Sequence, residues 1–441
     1  MTRLSLRCPR SATSALLAAL ALACATQSLQ APAMATAPQP ARELRVGEPV
    51  EAELSRDDRR LYTLLVEPGQ YLRIVAKPRT IDIALRLLAP DGAVLATADG
   101  PGGSRMPELL SLLISISGRA QLEVTRRDQG ERRGYQLVLE EQRPARPDDP
   151  LRIEAERAYY DAAHRRSLGS ADEMHSALQI LERALPLWQQ IGDRRGEIDT
   201  LALMGLSHRR LGATDKAVEL LTRALGLAES AGYDRGLIEA LNGMALVDKL
   251  RGRLDDALAG FRRALDIARA LGSTEQEAAA LQNMGFLLFD RGDPREALGY
   301  LELALPMWKA LGQLGEEGNT AQTLGLIYHR HHGNPDKAAE HFQAALVLSR
   351  EASDRRTEAG AVLNLAGISR DRRQLQSALA GYREARELLR AVGDPNLLAI
   401  AEEALGSLYY DLGDLDKAAH HYREAEMSYR SREDLNAQVR V

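Results

Sequence analysis

Side chains that commonly carry catalysis or bind metals are sparse in this sequence of 441 residues, which contains two cysteines and nine histidines. Four of the histidines fall close together, at positions 329, 331, 332 and 341. A structural zinc site uses four ligands, and no such set is evident, so we interpret the cluster as a histidine-rich helix end and its turn. The pair His420-His421 takes the same interpretation.

Recognisable catalytic motifs are also missing from the sequence. It has no Gly-rich phosphate loop after a strand, no G-x-S-x-G and no H-E-x-x-H. Thiolate catalysis needs a cysteine beside a histidine, and the two cysteines, Cys8 and Cys24, lie near the N-terminus. We therefore expect no enzyme activity, and no metal or other cofactor.

Polar side chains recur instead at nearly constant spacing. An amide row consists of Asn242, Gln282, Gln322 and Asn364. A chemically mixed set lies seven residues after these positions and after the corresponding positions of the other repeats. Its members are Arg209, Lys249, Phe289, His329, Asp371 and Tyr410. Seven residues are close to two helical turns, so both sets lie near one helix face. Amides can hydrogen-bond the backbone of an extended peptide, and the mixed set would supply specificity. A face that contacts only water is the alternative.

The elements that position these side chains are repeats of 40 residues. A small residue recurs at this period, as Gly205, Ala245, Gly285 and Gly325. Further along each copy come a second small residue, a large apolar residue and an alanine: Ala217, Leu221 and Ala224 in the first copy. Apolar residues at three- and four-residue spacing predict two amphipathic helices per copy, ended by glycines. Such a period indicates stacked helical repeats, in which the small residues mark helix crossings.

This small-small-large-small pattern resembles the tetratricopeptide repeat over about residues 176–430, with a weaker helix pair starting near Leu151. The unit here has 40 residues instead of about 34. In this it is similar to kinesin light chains and to bacterial repeat proteins that precede caspase-like domains. The resemblance implies an α-solenoid over residues 151–431, with about seven helix pairs. The first helix of each pair would line a concave groove, which places the amide row and the mixed set in a peptide-binding site.

The start of the chain predicts export. Residues 1–25 have three arginines, no acidic residue and the apolar run from Ala15 to Ala23, which is typical of a signal peptide. The segment ending at Cys24 resembles the bacterial lipobox, whose cysteine is lipidated and attaches the protein to a membrane. Cleavage by ordinary signal peptidase near Ala25 or Ala35 is the alternative. We expect a periplasmic or outer-membrane-attached lipoprotein, otherwise a secreted protein, with a Pro/Ala-rich linker over residues 26–42.

Residues 43–143 show alternating instead of helical periodicity. Short apolar runs such as Leu61–Val66 and Tyr71–Val75 are separated by turns rich in proline and glycine. We predict a small antiparallel β-sandwich, whose strand rhythm resembles the bacterial pre-peptidase C-terminal type. The segment from Pro144 to Pro150 would be a charged hinge to the helices.

These observations predict a multidomain chain: a small antiparallel β-sandwich followed by an all-α tetratricopeptide-repeat solenoid and a tail over residues 432–441. The expected function is a scaffold that binds a partner protein or peptide. The net charge of −5, which grows more negative once the leader is removed, argues against nucleic acid. The alternative is the sensing front half of a caspase-like (CHAT) protease system whose catalytic domain lies in a separate chain. A third hypothesis, glycan binding by the sandwich, would rest on Tyr62, Tyr71 and Tyr135 alone.

Overall fold

The structure is a computed structural model that describes residues 41–438, with gaps at residues 56–57, 79–80, 101–106 and 128–132. Within this range nine strands are followed by fourteen helices. None of the described helices has the length and apolarity that crossing a membrane requires. The predicted leader and its Cys24 lie outside the described residues.

The strands form two sheets. Their bounds are β1 Arg42–Glu43, β2 Val50–Leu54, β3 Arg59–Val66, β4 Gln70–Pro78, β5 Ile83–Leu88, β6 Val94–Ala98, β7 Glu108–Leu113, β8 Gly118–Arg126 and β9 Arg133–Pro144. One sheet has the order β1-β3-β8-β5-β6 and the other β2-β9-β4-β7. Neighbouring strands are antiparallel except β1, which pairs in parallel with β3. The expected antiparallel region is therefore confirmed, with one short parallel pair at an edge.

Both sheets contribute to a single core. Leu64 and Leu122 from the first sheet and Ile74 and Leu137 from the second belong to one cluster of buried side chains. This arrangement follows from the alternation along each strand, since every second residue points to the same face.

The three tyrosines of the glycan hypothesis are buried. Tyr62 is 3 % exposed, and Tyr71 and Tyr135 are fully buried. The hydroxyls of Tyr62 and Tyr135 lie 2.6 Å apart and hydrogen-bond each other. These rings fill the interior instead of forming a surface on which a sugar could stack. The hypothesis that these three tyrosines bind a glycan is therefore wrong.

The helices follow as seven antiparallel pairs. Their bounds are α1 Asp149–Leu168, α2 Ala171–Ile191, α3 Arg194–Arg210, α4 Thr214–Ala231, α5 Asp234–Leu250, α6 Leu254–Ala270, α7 Thr274–Arg291, α8 Pro294–Leu311, α9 Leu314–Arg330, α10 Pro335–Glu351, α11 Arg355–Asp371, α12 Leu375–Val392, α13 Pro395–Asp411 and α14 Leu415–Gln438. The glycines between helices adopt the left-handed conformation, as Gly212 and Gly232 show with φ of 79° and 59°.

The small residues of the repeat lie where helices cross, as the sequence predicts. A methyl group added to Gly205 would lie 2.6 Å from Leu221 Cγ, and one added to Gly285 would lie 2.6 Å from Leu301 Cγ. Ala264, the last small residue of its unit, is fully buried. The large apolar residue of each unit thus packs on the backbone of the partner helix, which is why a small side chain is required there.

The joint between the sheets and the first helix is fixed by ion pairs. Arg143 donates from two nitrogens to the two carboxylate oxygens of Asp149, each at 2.8 Å, and the Asp149 side chain is fully buried. Arg143, Arg146 and Arg152 together hold the pKa of Asp149 below its usual range against the effect of its burial. The ion pair between Arg143 and Asp149 thus spans the charged segment at residues 144–150 that was predicted to be a hinge.

A second polar contact joins the helix to a sheet. Glu156 of α1 is buried and accepts hydrogen bonds from Tyr71 Oη at 3.0 Å, Ser111 Oγ at 2.5 Å and Arg73 Nε at 3.0 Å. All three donors lie on β4 and β7. A buried carboxylate is stable only when its oxygens are paired in this way, so the contact specifies how α1 lies on the sheet.

Candidate functional site

The odd-numbered helices of neighbouring units pack against one another, whereas the even-numbered helices of neighbouring units do not approach as closely. We call the surface formed by α1, α3, α5, α7, α9, α11 and α13 the inner face. The amide row and the mixed set both belong to these helices.

Three members of the amide row lie in equivalent positions on the inner face. Asn242 and Gln322 are half-buried, and the Gln322 Nε2 atom lies 2.4 Å from where a methyl group on Gly360 would be. Gln282 is only 5 % exposed, and its Nε2 donates to Glu316 Oε2 at 2.8 Å. The row is therefore less solvated than its sequence suggests.

Asn364 is one residue out of register with this row. Helix α11 begins 41 residues after α9, at Arg355 instead of residue 354, so the position equivalent to Gln322 is the buried Leu363. The same shift moves Asp371 out of the mixed set and places Arg370 in it. The cause is one extra residue in the turn between α9 and α10. The assignment of Asn364 to the amide row is therefore wrong.

Two members of the mixed set are engaged between units. Lys249 Nζ lies 2.5 Å from Asp290, and His329 Nε2 lies 2.7 Å from Asp371. Phe289 meets the edge of the His331 ring at a centroid distance of 6.1 Å. Tyr410 is 64 % exposed. The first two side chains thus stabilise the stacking of helices, and Tyr410 remains available to a partner.

The clustered histidines are engaged with neighbouring aromatic rings. His341 stacks on Tyr328 at 5.4 Å, and His332 lies 5.6 Å from the same ring. Among the described residues, no group of three or more His, Cys, Asp or Glu side chains is arranged to hold a metal ion.

A titratable group that the sequence analysis missed lies on α3. Asp199 is half-buried, and its Oδ2 accepts a hydrogen bond from Tyr233 Oη at 3.2 Å. Burial, followed by the nearby charge of Glu239, raises the pKa of Asp199 to about 7. Asp199 and Glu239 are 40 residues apart, so the repeat period was the available signal that these two acids face each other.

Several polar atoms of the inner face are buried without a hydrogen-bond partner among the described residues. They are Arg166 Nε on α1, Asp199 Oδ1 and Arg209 Nε on α3, Asn242 Oδ1 on α5 and Gln282 Oε1 on α7. Each such group costs about 1–3 kcal/mol relative to a paired one. The first four odd-numbered helices thus carry a row of polar side chains whose hydrogen-bonding capacity is not fully used within the described residues.

The repeat composition and packing agree with the comparison against protein families. The tetratricopeptide repeat model matches residues 166–230, 236–310, 277–351 and 357–431. Because these matches span more than half of the chain, the protein belongs to the tetratricopeptide repeat family. A search of curated proteins gave no match.

Solved structures of similar fold include a Rap protein complexed with competence and sporulation factor, at 20 % identity and a TM-score of 0.51 over 64 % of this chain and 77 % of that one. A Rap conjugation regulator of plasmid pLS20 in complex with the Phr* peptide is 16 % identical, with a TM-score of 0.51 over 65 % and 76 %. The apo quorum sensor NprR from B. thuringiensis is 16 % identical, with a TM-score of 0.51 over 63 % and 77 %. These likenesses show the fold.

Proposed function

We propose that this protein is a non-catalytic interaction scaffold that binds an extended segment of a partner protein on the inner face of its repeats. The observation that carries the proposal is a row of polar side chains on α1, α3, α5 and α7 whose hydrogen-bonding capacity the neighbouring helices leave partly unused. Backbone amides of an extended peptide supply donors and acceptors at short, regular intervals, which is the pattern this row would satisfy.

A bound peptide would form hydrogen bonds that folding leaves unmade. An unpaired buried group has already lost its water, so pairing it gains more than a hydrogen bond on an exposed surface does. Asn242 and Gln322 are half-buried, so their amides can reach a ligand while their orientation is restricted by neighbouring helices. Several such contacts in series would give a complex of moderate affinity.

Structures of similar fold support a peptide as the ligand. Two of the Rap structures described above hold a bound factor or peptide. Their sequences differ too much from this one to transfer individual contacts. The proposal for this chain therefore rests on its own inner-face residues, and the neighbours indicate only that a fold of this kind accommodates such a ligand.

The test uses peptides selected from a random display library against the full chain. The affinity of a selected peptide is measured by fluorescence anisotropy for the wild type and for the double variant Asn242→Ala/Gln322→Ala. Two lost hydrogen bonds correspond to about 1–3 kcal/mol, so we expect binding to weaken about 5- to 150-fold. Circular dichroism checks that both proteins are folded.

The matched control is Gln343→Ala, which removes an exposed amide from the even-numbered helix α10. It should leave the affinity unchanged. If the double variant binds as tightly as wild type, the inner-face site is refuted and the peptide must bind elsewhere on the chain.

We further propose that the protein is exported and attached to a membrane through a lipid on Cys24. The proposal rests on the basic start, the short apolar run and the cysteine that ends it. Wild type should partition with membranes, and Cys24→Ala should abolish lipid labelling. A wild-type protein that is unlabelled and begins at residue 26 or 36 by N-terminal sequencing would exclude the lipid anchor.

A further inference from the structure

One edge of the inner face carries ion pairs between the last turns of successive odd-numbered helices, which we call the edge ladder. Its pairs are Lys249–Asp290 at 2.5 Å, His329–Asp371 at 2.7 Å and Arg370–Asp411 at 2.7 Å. In each pair the first residue lies in the last turn of one helix. The acid occupies the next position along the last turn of the following odd-numbered helix. The ladder thus holds neighbouring units together along this edge.

The acid of the edge ladder is missing between α1 and α3 and between α3 and α5. Arg166 and Arg209 each stand three residues before a left-handed glycine, Gly169 or Gly212, as Lys249 stands before Gly252. The three therefore occupy the same position of the ladder. The acid position opposite Arg209 is Leu250, and the one opposite Arg166 is another arginine, Arg210. Helices α7, α11 and α13 place a carboxylate at the acid position, whereas α5 places an apolar side chain there and α3 and α9 place an arginine.

Three arginines are consequently close together without an acidic partner. Arg166, Arg209 and Arg210 make no ion pair with any residue that the structure describes. The Nη2 atom of Arg210 lies 3.5 Å from where a methyl group on Gly169 would be, which brings it to the end of α1 beside Arg166. The Nε atoms of Arg166 and Arg209 are buried and donate to nothing among the described residues.

The electrostatics agree with this geometry. Burial, followed by the positive charges of Arg210 and Arg209, lowers the pKa of Arg166 to about 10. Burial and Arg210 also lower the pKa of Arg209. Glu239 attracts Arg166 weakly and forms no ion pair with it. A cluster in which cations repel one another and donors stay unpaired is one that an anion would stabilise.

We propose that Arg166, Arg209 and Arg210 form a binding site for an oxyanion, a carboxylate or a phosphate group, carried by the partner. The planar guanidinium group matches such groups through two parallel hydrogen bonds. This inference deepens the proposed function, because it assigns an anionic group to the partner segment where that segment reaches α1 and α3. Anion binding by the cluster itself does not depend on a peptide.

The experiment supplies the missing acid from within the chain. Leu250 is 59 % exposed, so Leu250→Asp should place a carboxylate opposite Arg209 without disturbing the core. Arg209→Gln removes the charge instead. The matched control is Arg330→Gln, since Arg330 is an exposed arginine in the last turn of α9 that occupies an acid position of the ladder.

The probes are sodium phosphate and the blocked peptide hexaglutamate, each compared with sodium chloride at equal ionic strength. Melting temperature and affinity are measured for the full chain. We expect at least one probe to raise the melting temperature of wild type and of Arg330→Gln beyond the effect of chloride. Arg209→Gln should bind that probe about tenfold more weakly. Leu250→Asp should bind it as weakly while melting at a higher temperature than wild type without any probe.

The outcomes separate the two sources of the oxyanion. A response to hexaglutamate alone assigns a carboxylate, a response to phosphate alone assigns a phosphate group, and either supports the site. Equal effects of both probes and chloride on wild type would overturn the inference, as would an undiminished response in Leu250→Asp. The proposed peptide site is tested separately by Asn242→Ala/Gln322→Ala, which should leave the phosphate response of the cluster intact.

Discussion

Substitution of a single glycine at a helix crossing tests the packing that the repeat imposes. A methyl group at Gly285 would lie 2.6 Å from both Cγ and Cδ2 of Leu301 and 3.3 Å from the Ala297 carbonyl oxygen. Leu301 is fully buried, so its side chain cannot relieve the contact by turning out into solvent. Overpacking of this kind costs about 1–3 kcal/mol. Alanine gains about 0.5–1 kcal/mol over glycine in a helix. Gly285→Ala should therefore destabilise the chain by up to about 2.5 kcal/mol.

The control is the same substitution one helix further on. Gly299 lies within α8, and a methyl group there would have no other atom within 4 Å. Gly299→Ala gains the helix propensity without any clash and should stabilise the chain by about 0.5–1 kcal/mol. Both variants replace one glycine by one alanine, so the effect of the substitution on the free energy of the unfolded chain is the same in both.

The assay is urea unfolding followed by far-ultraviolet circular dichroism, with the midpoints of the three proteins compared at one pH. We expect the midpoint of Gly285→Ala to fall and that of Gly299→Ala to rise. A rise in both would refute the reasoning, because it would mean that the crossing between α7 and α8 has room for a methyl group.

Further predictions concern a second crossing, the joint and a buried acid. Ala264→Leu fills a fully buried position and should lower the melting temperature through a cost of about 1–3 kcal/mol; an unchanged midpoint would mean that the repeat register is wrong. Arg143→Ala leaves the buried carboxylate of Asp149 without its main partner and should cost about 3 kcal/mol in urea unfolding and speed proteolysis between β9 and α1; equal proteolysis rates would show that the joint does not depend on this pair. Asp199, with a pKa of about 7, keeps a proton that the unfolded chain loses above about pH 4, so stability should fall as the pH rises from 4 to 7. Asp199→Asn should remove that fall in melting temperature; an equal fall in the variant would exclude Asp199 as its cause.

The repeat architecture could be predicted because its cause is local and periodic. Every crossing needs a small residue opposite a large one, and this requirement is written into the sequence at Gly205 and Leu221 and again 80 residues later. The strands with regular apolar alternation were also predictable. Strands β1, β2 and β6 were not predicted, because β1 has two residues, β2 has only five, and none of the side chains of β6 is fully buried.

The candidate site was less predictable because its geometry depends on contacts between units. The burial of Gln282 follows from its hydrogen bond to Glu316, which lies 34 residues away. The register of Asn364 depends on one extra residue after α9. Its signal was present in the sequence, because Phe342 follows Leu301 by 41 residues where Leu301 follows Phe261 by 40.

The edge ladder explains why the repeats are not equivalent as binding surfaces. Where Lys249 meets Asp290 or Arg370 meets Asp411, each charge has its partner within the chain, and a ligand would have to displace one ion to reach the other. At Arg209 no such competitor stands in the next helix. A charged group of a partner should therefore bind this edge mainly at the first units, beside the row of unpaired polar atoms. The position of a partner along the inner face is then set by where a basic side chain of the ladder lacks its acid, as Arg166 and Arg209 do.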